Sequence, residues 1–293
     1  MTTLIQALLN GLSLGSIYAL IALGYTMVYG IAKMLNFAHG DVIMVGAYAV
    51  ISSVMQAKLP GVAGVVISIL VCAALGVTIE FLAYRPLRKA PSLSVLITAI
   101  GVSYLLQNLA QLIYGTEQKG FPPLFKNIPS LRVGEIVIEG RMLLTLGITA
   151  LIMVALTLFI NHTNIGKAMR AVSEDKEAAE LMGISVNRTI TVTFAIGSVL
   201  AAVASIFYGA SYTYIRPTTG SMPGIKAFTA AVFGGNGSIP GAMLGGILLG
   251  VIEQMAKTYI STKWSDAIVF GVLVLVLVIK PTGLLGKKIS EKV

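Results

Sequence analysis

Residues 143–160 read Leu-Leu-Thr-Leu-Gly-Ile-Thr-Ala-Leu-Ile-Met-Val-Ala-Leu-Thr-Leu-Phe-Ile, with no charge and no polar face. A membrane β-strand would alternate apolar and polar residues over about ten positions. Here, as in Ile268–Ile279, apolar side chains occupy every direction around the chain. A run of about 18 or more apolar residues crosses the bilayer hydrocarbon as an α-helix, so this stretch is predicted to be a membrane helix. The pattern repeats outward from it. Charge-free runs cover 1–32, 42–57, 59–79, 90–116, 142–166, 189–215 and 227–252, with a shorter one at 267–279. Of the 293 residues, 56% are hydrophobic and only 11% charged, against about 25% charged in an ordinary soluble domain.

Nine hydrophobic segments are predicted: 4–30, 41–56, 61–83, 93–114, 142–160, 189–212, 223–235, 241–258 and 265–279. The fold class is therefore an all-α polytopic membrane protein with eight to nine transmembrane or half-membrane helices, read as one transmembrane domain over 1–293. The first segment is too long for one upright span, so it is expected to tilt or to break near Gly24 or Gly30. Its first basic residue is Lys33, so it is read as a retained helix and not as a signal peptide. The 41–56 and 223–235 segments are short enough to be half-helices, tolerated where protein or a water-filled cavity covers the freed backbone.

Basic residues flank the segments as cytoplasmic ones do. Arg85, Arg88 and Lys89 follow one segment, and Lys280, Lys287, Lys288 and Lys292 follow the last. With nine crossings this places the N-terminus outside, the C-terminus inside, loop 115–141 outside and loop 161–188 in the cytoplasm. Leu59-Pro60-Gly61 and Ile239-Pro240-Gly241 each open a span that leads through glycines to Glu80 or Glu253. The pair suggests an inverted repeat.

The net charge of +9 fits basic loops facing anionic lipid, and no nucleic-acid partner is inferred. Cys72 lies alone in an apolar run and reads as a packed residue. Gly197, Ala201, Ser205 and Gly209, and the overlapping GxxxG patterns of Gly241, Gly245, Gly246 and Gly250, let helix backbones approach closely. They serve either packing within the chain or a dimer face. The hexapeptide Asn36-Phe37-Ala38-His39-Gly40-Asp41 separates two apolar segments. It reads as a turn in which Asp41 or a neighbour caps the next helix, or as a gate contact. His39 has no companions for a metal site. Glu80 and Glu253 are expected to reach an interface or to pair with a base such as Arg85 or Lys257.

Loop 161–188 is the polar exception and holds eight charges. Ser173 followed by Glu174, Asp175 and Glu177 reads as a helix N-terminus. Ala178, Ala179, Leu181 and Met182 supply small and apolar contacts, and Gly183 stops the helix. A short amphipathic helix of this kind suits docking into a groove on a soluble partner.

Glu177-Ala178-Ala179-Glu180-Leu181-Met182-Gly183 resembles the EAA-x-x-x-G core of binding-protein-dependent ABC importer permeases. The longer pattern of that family ends Ile-x-Leu-Pro, where this chain has Val192-Thr193-Phe194-Ala195. A narrower resemblance covers nearly the whole chain. Gly24–Gly30, Leu35–Asp41, Arg170–Gly183, Ala231–Gly235, Gly237–Gly241 and Lys280–Gly286 are together similar to the LivH-type permeases of branched-chain amino acid ABC transporters.

The resemblance implies an alternating-access permease with no chemistry and no cofactor of its own. Its implied partners are a homologous second permease subunit, two cytoplasmic ATPase subunits that bind the ATP, and an extracytoplasmic substrate-binding protein. The chain carries no Gly-x-x-x-x-Gly-Lys-Ser/Thr phosphate loop, in keeping with that division. On this reading residues 173–183 form the ATPase-coupling helix. Polarity at membrane depth makes Tyr25, Asn36, His39 and Gln107 the candidates for a pathway or gate. Two alternatives remain at this stage. One is a relative of the same family that imports urea, amides or another amino acid. The other is an ion-coupled secondary transporter, which would require charges buried in mid-helix.

Overall fold

The computed structural model describes residues 2–286 except 89, 127, 135 and 236. Lys89, Lys287, Lys288 and Lys292, which contributed to the expected orientation, lie outside the described residues. Among the described residues there are eleven α-helices: α1 (Thr2–Ala32), α2 (His39–Ile51), α3 (Gly61–Ile79), α4 (Ser92–Tyr114), α5 (Gly140–His162), α6 (Asn164–Glu174), α7 (Lys176–Leu181), α8 (Val186–Tyr212), α9 (Ser221–Gly234), α10 (Ile239–Tyr259) and α11 (Ser265–Ile279). Each of the nine apolar segments coincides with a helix. Six helices are long and apolar enough to cross a membrane: α1, α3 with its extension to Tyr84, α4, α5, α8 and α10.

α1 is one unbroken helix, so of the two expected outcomes, a tilt or a break near Gly24 or Gly30, the break does not occur. Hydrogen-bonded backbone is the form a lipid environment demands, and a lone glycine costs only about 1 kcal/mol in a helix. α2 and α3 each run on into a π-helical turn, Ser52–Gln56 and Glu80–Tyr84. Ala57 N bonds Ser52 O at 2.9 Å and Arg85 N bonds Glu80 O at 2.7 Å, each five residues back. Short strands occur outside the helices. β1 (Lys119–Gly120) pairs antiparallel with β4 (Tyr214–Ile215), and β2 (Leu131–Val133) with β3 (Ile136–Ile138). The second pair lies within loop 115–141.

The chain forms two compact units, one of Met1–Thr26, Asn127–Val154 and Lys226–Val293, the other of Met27–Lys126 and Ala155–Ile225. The second unit is built on α2, α3 and α8. Gly46 of α2 faces α3 and α8 so closely that an added Cβ would lie 2.6 Å from Ser205 Oγ and 2.9 Å from Cys72 Sγ. Cys72 is buried there, as its apolar run implied. Gly197, Ala201, Ser205 and Gly209 are all buried along α8. In the first unit, Gly246 of α10 meets Ala19 of α1 and Gly250 meets Gly15, while Gly245 meets the Ala230 carbonyl of α9. Both small-residue stripes thus pack within the chain, where dispersion contacts must replace the hydrophobic drive absent in lipid.

Gly76→Leu is expected to force α3 from α8, because a Cβ at Gly76 already meets the Ser198 side chain and lies 3.0 Å from Phe194 O. Overpacking of this kind costs about 1–3 kcal/mol, read as a lowered melting temperature in detergent.

Burial differs sharply among the spans. Of the most apolar window, 72% is buried in α1 and only 17% in α5. Leu143, Leu151, Val154 and Leu158 of α5 are exposed, as are Leu93, Ile97, Leu112 and Ile113 of α4. An apolar surface of this extent is at home against acyl chains or another membrane-embedded chain and not against water.

Candidate functional site

The polar 161–188 loop folds into two helices. Thr163 caps α6, its Oγ1 accepting the Gly166 amide at 3.0 Å. Met169 and Val172 anchor α6 by burial. The helix continues to Glu174, and Asp175 then adopts extended backbone at φ −152°, ψ 117°. Asp175 Oδ1 accepts the amides of Glu177 and Ala178 at 2.9 and 3.0 Å, capping α7.

This corrects the expected helix start. Ser173 and Glu174 close α6, and the Ser173 hydroxyl donates to Arg170 O at 2.7 Å. The carboxylate of Asp175 is the better cap because the helix dipole favours negative charge at that end. Gly183, at φ +81°, stops α7 as its sequence position implied. Gly183 N bonds Glu180 O and Ile184 N bonds Ala179 O, both at 3.0 Å.

The faces of α7 are unequal. Ala179 is buried, while Ala178 is exposed and Leu181 and Met182 at its end are 89% and 81% exposed. Lys176, its first residue, donates to Ala32 O, the last residue of α1, at 2.8 Å. Burial, with the Arg88 and Lys33 charges next in importance, holds the Lys176 ammonium below the usual lysine range. Asp175→Ala is expected to cost about 0.5–2 kcal/mol of local helix stability, read as faster amide exchange over 176–181.

Of the four pathway candidates, Asn36 and His39 share one turn, with His39 N donating to Asn36 O at 3.1 Å. The Asn36 side chain accepts from Tyr84 OH at 2.9 Å, and Tyr84 packs its ring on Phe194. His39 begins α2 and is buried. Gln107 instead joins Asp41: its Nε2 lies 3.0 Å from Asp41 Oδ1, 3.2 Å from Ser103 Oγ and 3.0 Å from Ser221 Oγ. Tyr25 belongs to the other compact unit, where its ring lies 5.9 Å from that of Phe228.

Asp41 is no cap. The N-cap of α2 is Ala38, without a side-chain bond, and the Asp41 carboxylate turns to Ser103 and Gln107 of α4.

Two further carboxylates are buried. Glu80 pairs with Arg88 and accepts Thr191 Oγ1 at 2.7 Å. Arg85, the base expected beside it, lies over the Phe81 ring instead, at 5.4 Å. Arg88 reaches Asn187 as well, so it fastens the end of α3 to the start of α8. Glu253 meets Lys257 at 2.6 Å as expected, and also Lys226 at 2.8 Å and Tyr18 OH at 2.9 Å. Lys226 in turn meets Asp266 at 2.7 Å. Sequence reasoning missed Lys226, although it stands alone at the head of a charge-free run that ends at Glu253.

Long apolar helices with an apolar exterior define a multi-pass membrane protein, to which α7 adds a short capped helix with an exposed apolar tip. Residues 7–277 match the family described as "Branched-chain amino acid transport system / permease component". The chain is 45% identical to the high-affinity branched-chain amino acid transport system permease protein BraD of Pseudomonas aeruginosa, over 99% of this chain and 98% of that protein. It is 44% identical to the corresponding LivH of Escherichia coli, over 99% and 97%. A probable LivH of Methanocaldococcus jannaschii is 27% identical over 92% of this chain and 89% of its own length. The chain belongs to this family of LivH-type transport permeases and is a multi-pass inner-membrane protein.

Proposed function

We propose that this chain is the permease subunit of an ATP-driven, binding-protein-dependent importer that moves leucine, isoleucine and valine by alternating access. The observation that carries the reading is the family match over nearly the whole chain, joined to an exposed apolar tip on α7. α7 is the part that meets an ATPase subunit. Its burial on one side and its Lys176 bond to the end of α1 give a push on α7 a direct route into the membrane helices. The complete assembly has this permease, a homologous second one, two cytoplasmic ATPases that bind the ATP, and an extracytoplasmic binding protein. The N-terminus is outside and the C-terminus inside, with loop 115–141 facing the binding protein and 161–188 facing the ATPases. The chain itself holds no cofactor.

Proteoliposomes carrying the full assembly test this. Uptake of labelled leucine is expected only with internal ATP and leucine-loaded binding protein outside. Uptake driven by an ion gradient without ATP overturns the mechanism. Tight binding of urea or an amide by the cognate binding protein, with no binding of leucine, overturns the cargo.

A further inference from the structure

Among the described residues three carboxylates are almost wholly buried: Glu80, Glu253 and Asp41. The chain gives Glu80 an arginine and Glu253 two lysines. Asp41, 1% exposed, has no ion pair among the described residues. Its oxygens receive only neutral donors, Ser103 Oγ on one and Gln107 Nε2 on the other. A carboxylate buried with neutral partners alone is costly, and a cation that arrives and leaves relieves that cost.

The surroundings fit such a visitor. Gln107 Nε2 has two hydrogens and three acceptors within 3.2 Å, so Ser103 and Ser221 share it with Asp41 and keep lone pairs to offer. Gln107 Oε1 takes no part in these bonds. Together these groups present one charged and several neutral acceptors, and an ammonium carries three donors and no acceptor.

The backbone shows that the place is built. Ser221 opens α9, and Gly40 and Gly220 touch through their backbones, leaving no room for a Cβ on either. The contact sets the start of α9 against the first turn of α2. α9 has 14 residues, about 21 Å, too short for a hydrocarbon core of about 30 Å. Transporters hold charged parts of their cargo at the ends of such half-helices, anionic groups at the N-termini; at this pair of N-termini the Asp41 carboxylate already supplies the anion, and its charge is what a cation meets.

We propose that Asp41, with Ser103, Gln107 and Ser221, binds the primary ammonium group of the transported zwitterion. The proposal rests on the transport reading above and places a point of cargo affinity inside the permease itself. That affinity is separate from the selection made by the binding protein.

The test uses the assembled transporter in nanodiscs, without binding protein, and labelled 3-methylbutylamine, which has the ammonium and aliphatic tail of leucine but no carboxylate. Saturable binding is expected to the wild type, displaced by leucine. 4-Methylpentanoate, which lacks the ammonium, is expected to compete at least about tenfold more weakly. Asp41→Asn is expected to lower amine affinity about tenfold or more, with Asp41→Glu recovering part of it. Equal competition by 4-methylpentanoate, displacement by sodium chloride but not by leucine, or wild-type amine affinity in Asp41→Asn each overturns the site. The wild-type competition decides the matter even if Asp41→Asn assembles poorly. Failure of leucine uptake with normal amine binding sinks the cargo assignment and leaves the ammonium site standing.

Discussion

A permease carrying Leu181→Glu together with Met182→Glu is expected to insert and fold normally and to lose ATP-driven uptake. Both side chains are almost fully exposed at the end of α7, so the substitution removes no contact within the chain. What it removes is an apolar tip suited to a groove on an ATPase subunit. Central apolar anchors of an interface are worth about 2 kcal/mol or more each, equivalent to at least about 30-fold in affinity. Copurification of the ATPases should fall by that order, with uptake falling alongside. Ala178→Glu acts on the same exposed side and should uncouple ATP hydrolysis from uptake. Ala179→Glu differs, because Ala179 is buried and a charge there disturbs the loop itself. Copurification and uptake within twofold of wild type in the double variant would show that α7 is not the docking element.

The second large effect is on stability. Glu253→Leu removes the acceptor shared by Lys226, Lys257 and Tyr18. Lys226, itself buried, is left with the half-exposed Asp266 and, at 5.9 Å, the face of the Tyr18 ring. Breaking a buried ion pair on one side costs about 3–5 kcal/mol, because the abandoned charge stays buried. The melting temperature in nanodiscs should fall clearly. Adding Lys226→Met to Glu253→Leu removes the abandoned charge and should restore much of the loss. If the double variant melts as low as Glu253→Leu alone, the ion pair is not the source of the effect.

The nine apolar segments were legible because hydrocarbon sets a length and forbids charge, and both marks survive in one dimension. Gly183 was legible for a local reason: a helix that ends in left-handed backbone favours glycine. Ser173 misled because a hydroxyl before acids is a good cap signal, yet α6 runs through it on the strength of Thr163, Met169 and Val172. The choice between two adjacent starts depended on tertiary anchoring of α6, which propensity does not encode. The buried charges were least legible. Asp41 finds Ser103 and Gln107 more than sixty residues away, and Gln107 finds Ser221 a further 114 on. Arg85 follows Glu80 by five residues and Arg88 by eight, yet beyond the π-helical turn it is the more distant Arg88 that pairs with it.

That turn has a consequence for inheritance. Between Glu80 and Tyr84 the backbone bonds five residues back instead of four, so the segment holds one residue more than an α-helical turn needs. Deleting one residue there would let the segment close into ordinary α-helical winding, with the parts on either side keeping nearly their facing. A deletion in the regular turns of α3 before it has no such slack and would swing all that follows by about 100°. Phe81 and Leu82 are exposed and free to vary among apolar residues. The surplus residue is thus a reserve: this stretch can absorb a lost codon triplet that the regular helix before it cannot.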